Sequence, residues 1–228
     1  MEDNIIESEC FREYQIDTVD GGLSLPLIEK LYFAYRSVLS RFAHCYIFRF
    51  RLGIPEKHNH QAKTLFNQWF YRFCHYRQRD KISVIWKKEI SDTGAISYRF
   101  TMFLDATPYQ PMANEYQIRK KLTKDITRTW ATTTRMSQNE VSDLCSFLTQ
   151  PLLELNRDHE DYDHLHRCLF YVLSRQASIN MNHDVDAENM LGLFVSKSKK
   201  KGRKPRKPRE RKSRQRQSLS SAHQHKHD

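Results

Sequence analysis

The sequence predicts an α+β fold: an antiparallel sheet with helices packed on one face, a helical C-terminal part and a disordered basic tail. Three observations carry this. Helical and alternating apolar patterns occupy separate stretches, in the order helix, strand, helix, strand, strand, then helices. Two of the strands are joined by the five residues Ser91-Asp-Thr-Gly-Ala95, a linker short enough only for a hairpin. The chain has 6 Gly in 228 residues, with no GxGxxG and no GxxxxGK[ST], which argues against a Gly-rich phosphate-binding architecture. With 39% hydrophobic and 12% aromatic residues, it has enough apolar mass for a packed core.

Residues 1–22 form a polar lead-in, expected to be flexible, ending at Gly21-Gly22. From Leu23 to Ala43, Leu27, Leu31, Ala34, Tyr35, Val38 and Phe42 recur at helical spacing. Pro26 falls in the first turn, where its missing N–H costs nothing. Residues 44–52 alternate: Tyr46, Phe48, Phe50 and Leu52 on one face, Ile47, Arg49 and Arg51 on the other. Gly53-Ile54-Pro55 ends this strand. A helix over 59–80, with Asn59 as N-cap, carries Ala62, Leu65, Phe66, Trp69, Phe70 and Phe73. The hairpin strands are 82–90 and 96–104. After Pro108 and Pro111 the pattern turns helical: 114–133, then a capping box at Ser137-x-x-Glu140 opening a helix broken near Pro151, then 160–178. Residues 23–178 make the folded domain, and 179–196 are a connector of unassigned structure.

The charge divides unevenly. Residues 197–228 hold 14 Lys/Arg and 2 acids, a net of +12, whereas residues 1–196 hold 24 Lys/Arg and 25 acids, a net of −1. The basicity is therefore a tail, and a detached basic block points to a polyanion through counterion release. Within it, Lys201-Gly202-Arg203-Lys204-Pro205 resembles an AT-hook core, without the usual Pro before it. Lys201, Gly202, Arg203, Lys204, Arg206, Lys207 and Arg209 are the candidate contacts to phosphates or the minor groove. In the body, Arg49 and Arg51, Lys87 and Glu89, and Ser97, Arg99 and Thr101 share strand faces. If these faces align, the sheet presents a basic surface away from its helices, with Arg49, Arg51 and Arg99 lining a groove for single-stranded or distorted DNA.

Four segments together carry a family resemblance: Tyr46–Pro55 (YIFRFRLGIP), Ile82–Glu89 (ISVIWKKE), Ser97–Asp105 (SYRFTMFLD) and Leu169–Ala177 (LFYVLSRQA). In order and spacing they resemble the YagK/YfjJ-type, inovirus replication-protein-like proteins of prophages and plasmids. The resemblance implies an HUH- or ferredoxin-like core, in which two strand His hold a divalent metal and a helix-borne Tyr attacks a DNA phosphate. Here the two His positions fall on Ser97 and Arg99, and an Asp of the first strand falls on Arg51. Glu89 and Tyr171 remain as the candidate catalytic pair. The family's late Lys is displaced, and Arg175, one turn on, takes the place of a phosphate contact. Ser and Arg do not replace neutral imidazoles as metal ligands. The expectation is a non-enzymatic relative that kept the fold and a DNA-facing surface. No cofactor is expected, and a divalent metal belongs only to the alternative of an active nicking and joining enzyme using Tyr171. A second alternative is an RNA- or protein-binding regulator with an electrostatic tail.

Other clusters read as structural. His164 and His166 sit in a helical pattern, where i and i+2 point about 200° apart. His58 and His60 lack a third ligand, and His159, Asp161 and Asp163 suit a helix N-terminus. His223, His225 and His227 end the chain. Trp69, Trp86 and Trp130 are expected to pack in the core or at its edge rather than to serve as stacking platforms. The five Cys are widely spaced with no CxxC and read as reduced thiols. No run of about 18 apolar residues exists, and Met1–Glu9 carries four acids and no base. A cytoplasmic, nucleoid-associated protein with DNA as partner, single- or double-stranded, and no membrane contact is expected.

Overall fold

The computed structural model describes residues 5–18, 22–77, 80–109, 114–148, 152–178 and 190–196. In chain order the elements are β1 (Ile5–Ile6), β2 (Cys10–Phe11), β3 (Tyr14–Gln15), β4 (Leu23–Ser24), α1 (Leu25–Arg41) and β5 (His44–Gly53). A 3-10 helix (Glu56–Gln61) leads into α2 (Ala62–Tyr76), β6 (Ile82–Ile90) and β7 (Ile96–Asp105). Then come α3 (Glu115–Thr134), α4 (Gln138–Ser142), β8 (Cys145–Phe147), β9 (Leu153–Asn156), α5 (Tyr162–Ser174) with a 3-10 turn (Arg175–Ala177), and β10 (Leu191–Val195). The fold is α+β, as the sequence predicts.

The main sheet runs β10-β6-β7-β5, and β5 gives its other edge to β8 and β9; every pairing is antiparallel. The β6–β7 hairpin turns as expected, with Gly94 at φ 78 and Ser91 N–H donating to Ala95 C=O at 2.9 Å. One sheet face is aromatic. Phe48, Phe50, Tyr98, Phe100 and Met102 pack with Leu65, Phe66 and Trp69 of α2 and Leu122, Ile126 and Trp130 of α3. Phe50 stacks on Phe100 at 4.8 Å. Each such fully buried ring contributes on the order of 2–3 kcal/mol. Across α2 and α3, Trp69 Nε1 donates to Thr129 Oγ1 at 3.1 Å, and Arg77 pairs with Asp125 at 2.6 Å and Asp80 at 2.5 Å.

The helices divide between both faces, a correction to the one-sided layout expected. The reason lies in the composition of the second face. Its Arg49 and Arg51 end is polar, but Cys45, Ile47, Ile85 and Phe103 at the other end are apolar and need cover. The stripe Leu27, Leu31, Tyr35 and Val38 of α1 and Leu169, Phe170 and Leu173 of α5 supply it.

Other expectations change in the same way. Residues 5–18, read as part of a flexible lead-in, bury Tyr14 and Ile16 in this second core, with the Tyr14 ring 4.3 Å from Phe170. Asn59 is not the α2 cap: it lies in the 3-10 helix, and Gln61 precedes α2. The Ser137–Glu140 capping box forms, but its helix ends at Ser142. Beyond it the chain becomes β8, because the edge of β5 offers Phe50–Leu52 as pairing partners. Residues 191–195 of the connector form β10 against β6, and Gly192 lies so close to Trp86 that a Cβ would stand 2.8 Å from the ring. The tail, with Lys201 through Arg209, lies outside the described residues. Among the described residues no helix is long and apolar enough to cross a membrane.

Candidate nucleic-acid interface

The register of the sheet aligns the polar positions of three strands. Arg51 faces Arg99, and Arg99 faces Lys87, so three cations stand in one cross-strand row. Like charges directly opposite one another repel. Glu89, beside Ser97 in the next row, relieves the repulsion: its Oε1 meets Arg99 Nη2 at 2.8 Å and its Oε2 lies 3.6 Å from Arg51 Nε. Arg51 Nε also donates to Ser97 Oγ at 2.8 Å. Lys87 is buried and donates to Ser178 C=O at 3.2 Å. Burial pushes the Lys87 amine down to about 8, with Glu89 opposing and Arg99 adding to the shift.

Beside this row a cleft of about 740 Å³ opens between the sheet and α5. Its origin is a gap in strand pairing. β9 pairs His44–Ile47 and β8 pairs Phe50–Leu52, which leaves Phe48 and Arg49 with no strand on that edge among the described residues. Arg49 and Arg99 line the cleft from the sheet, Tyr171 and Arg175 from α5 and its 3-10 turn, and Asp17 from the N-terminal segment. Leu165, Leu169 and Val172 form an apolar wall. Asp17 is buried, accepts from Arg175 Nε, and donates its N–H to Ser174 Oγ at 2.8 Å. Among the described residues Arg49 Nε is buried with no hydrogen-bond partner. Burial first, and then the nearby Arg99 and Arg175, lower the pKa of the Arg49 guanidinium, yet so strong a base stays charged. The cleft thus combines convergent guanidinium charge and an apolar wall.

The YagK/YfjJ C-terminal domain model matches residues 6–192. The chain belongs to this family. No curated protein and no solved structure matches it. The YagK/YfjJ match spans the lead-in from Ile6, whose following residues Tyr14 and Asp17 are part of the core and the cleft, and reaches into β10.

Within this YagK/YfjJ domain, Arg49, Arg99 and Tyr171 come together in one cleft, with Tyr171 38% exposed. Arg51 shares the sheet face but is engaged with Ser97 and Glu89 and does not line the cleft. Glu89 is held between two guanidiniums. The metal implied by the resemblance does not fit this donor set. A divalent cation at Ser97 and Arg99 would find a single carboxylate already paired twice, and a guanidinium in place of an imidazole. Among the described residues no three His, Cys, Asp or Glu converge as a metal site. His164 lies 3.5 Å from Cys168, whereas His166 packs 3.4 Å from Asp163, so that pair diverges as expected. No local pattern marks Asp17 as a cleft residue, because it lies 158 positions from its partner Arg175.

Proposed function

We propose that this YagK/YfjJ domain is a DNA-binding module of replication-initiator type that holds single-stranded or distorted DNA in the arginine cleft and has lost metal-dependent nicking. The observation that supports it is the convergence of Arg49, Arg99 and Arg175 on one cleft. Guanidinium forks match phosphate geometry, and the Arg99 and Arg175 side chains are 41% and 59% exposed. The apolar wall and Tyr171 suit sugars and base faces, as in strand-binding grooves that combine charge with stacking. The basic tail would add affinity without sequence preference.

The test is fluorescence anisotropy of a labelled single-stranded 20-mer with the full chain and an Arg49→Ala/Arg99→Ala variant across a salt series. Losing two phosphate contacts lowers the slope of log affinity against log salt by roughly 1.4, with at least tenfold weaker binding at moderate salt. Unchanged affinity and slope would refute the cleft. Tyr171 lining the same cleft favours one second reading, covalent strand transfer by that hydroxyl. It requires a protein–DNA adduct that disappears in Tyr171→Phe; no adduct across several divalent metals and strands supports the binding-only reading.

A further inference from the structure

On the opposite side of the sheet from the cleft, α2 and α3 turn a basic surface outward. They lie side by side, joined by the Trp69–Thr129 hydrogen bond and the Arg77–Asp125 ion pair. The inner stripe of α3 is Ile118, Leu122, Ile126 and Trp130, so the spacing directs Lys120, Lys121, Lys124 and Arg128 to solvent, and all four are exposed. On α2, Arg72, His75 and Tyr76 are exposed beside them. The two sets meet where Arg128 Nη1 donates to Tyr76 Oη at 3.5 Å, its guanidinium 5.5 Å from the ring centre. Tyr116, 66% exposed, sits one turn before Lys120, whose Nζ is 6.0 Å from its ring.

Among the described residues, neither helix turns an unengaged carboxylate onto this surface. α2 contains none, and α3 has two: Asp125, buried on Arg77, and Glu115 in the first turn, which accepts from Leu152 N–H at 2.6 Å. Among the described residues Arg72, Lys120, Lys121, Lys124 and Arg128 make no ion pair. Lys120, Lys124 and Arg128 repeat at i,i+4, where like charges destabilise a helix. The arrangement is local, because residues 1–196 carry a net charge of only −1.

We infer that the outer face of α2 and α3 is a second polyanion surface, fitted to the sugar–phosphate backbone of duplex DNA. From Lys120 to Arg128 the helix rises about 12 Å. Over that distance a duplex presents about seven negative charges, a density that a row of cations on a rigid helix complements. Cations set on a rigid helix suit a backbone of fixed charge spacing better than a flexible single strand. The choice of DNA as the polyanion rests on the function proposed above; the surface itself does not depend on the cleft.

Two measurements test this on the full chain with a 20-base-pair DNA duplex. The first is lysine acetylation read by mass spectrometry, with Lys57 as the exposed reference. Saturating duplex should slow acetylation of Lys120, Lys121 and Lys124 at least threefold relative to Lys57, both in the wild type and in Arg49→Ala/Arg99→Ala. The second is a salt series on the Lys120→Gln/Lys121→Gln/Lys124→Gln/Arg128→Gln variant, whose helix-favouring replacements preserve α3. Its slope for duplex should fall by about 3 to 4, with single-strand affinity in the cleft changed much less. Unprotected lysines under saturating duplex, or a slope unchanged in the quadruple variant, would overturn the inference. Protection by an acidic protein but not by duplex would overturn it too. Protection that persists when Arg49→Ala/Arg99→Ala leaves single-strand binding intact sinks the cleft and keeps this surface.

Discussion

Replacing Lys87 by Met removes a cation that the sheet holds against its own preference. Lys87 is 5% exposed, stands opposite Arg99, and is depressed from an ordinary 10.5 to about 8, chiefly by burial. That displacement corresponds to about 3 kcal/mol opposing the folded state when the amine is charged. The sign follows from proton binding. Between pH 8 and 10.5 the unfolded chain holds the proton and the folded chain releases it, so this contribution makes stability rise with pH across that window. Below pH 8 the whole penalty is present. Met fills similar volume without charge but forfeits the bonds to Ser178, a loss of about 1 kcal/mol. Lys87→Met should therefore be more stable than the wild type by about 2 kcal/mol at pH 7, and the advantage should shrink toward pH 10. Urea midpoints of both proteins at pH 7, 8, 9 and 10 measure this. A stability difference that stays constant across the series, or a variant weaker than the wild type at pH 7, would refute the reasoning.

Three further outcomes are expected. Asp125→Ala leaves Arg77 buried with Asp80 as its remaining ion-pair partner and should lower stability by about 3 kcal/mol, read by chemical denaturation. Gly192→Ala drives a methyl against the Trp86 indole and should cost about 1–3 kcal/mol, detected as a lower Tm, with partial recovery in a Gly192→Ala/Trp86→Leu double variant. Thr129→Val strands the Trp69 Nε1 donor, buried at 3.1 Å from its acceptor, and should destabilise by about 1–3 kcal/mol in the same assay.

Much of this architecture is legible from alternation and capping alone. The two faces of β5, the β6–β7 hairpin, the α1 stripe and the Ser137 capping box all follow from signals within a few residues of one another. The cleft was legible in part. Arg49 and Arg99 were found because strand faces repeat every second residue, and Tyr171 came through the family resemblance. What escaped was set by distant partners. The pairing of β8 and β9 with one edge of β5 creates the gap at Phe48 and Arg49, and nothing near residue 48 encodes it. Asp17 and β10 join the structure only through residues far along the chain. The outward cations of α3 drew no reading from the sequence, because their lack of nearby carboxylates becomes meaningful only once α2 lies beside them.

The long sequence span of the sheet has a consequence for how the protein is made. β5 finds its partners β8 and β9 about a hundred residues later, and β6 receives β10 after a similar interval. The core beneath α1 is completed by Phe170 and Leu191. As the ribosome releases the chain, α1 and the apolar end of the second sheet face emerge long before what covers them. Contacts of such separation make folding slow and leave apolar surface exposed meanwhile. The nascent chain is therefore open to aggregation until those partners emerge, and the sheet is not complete until its last strand has left the exit tunnel.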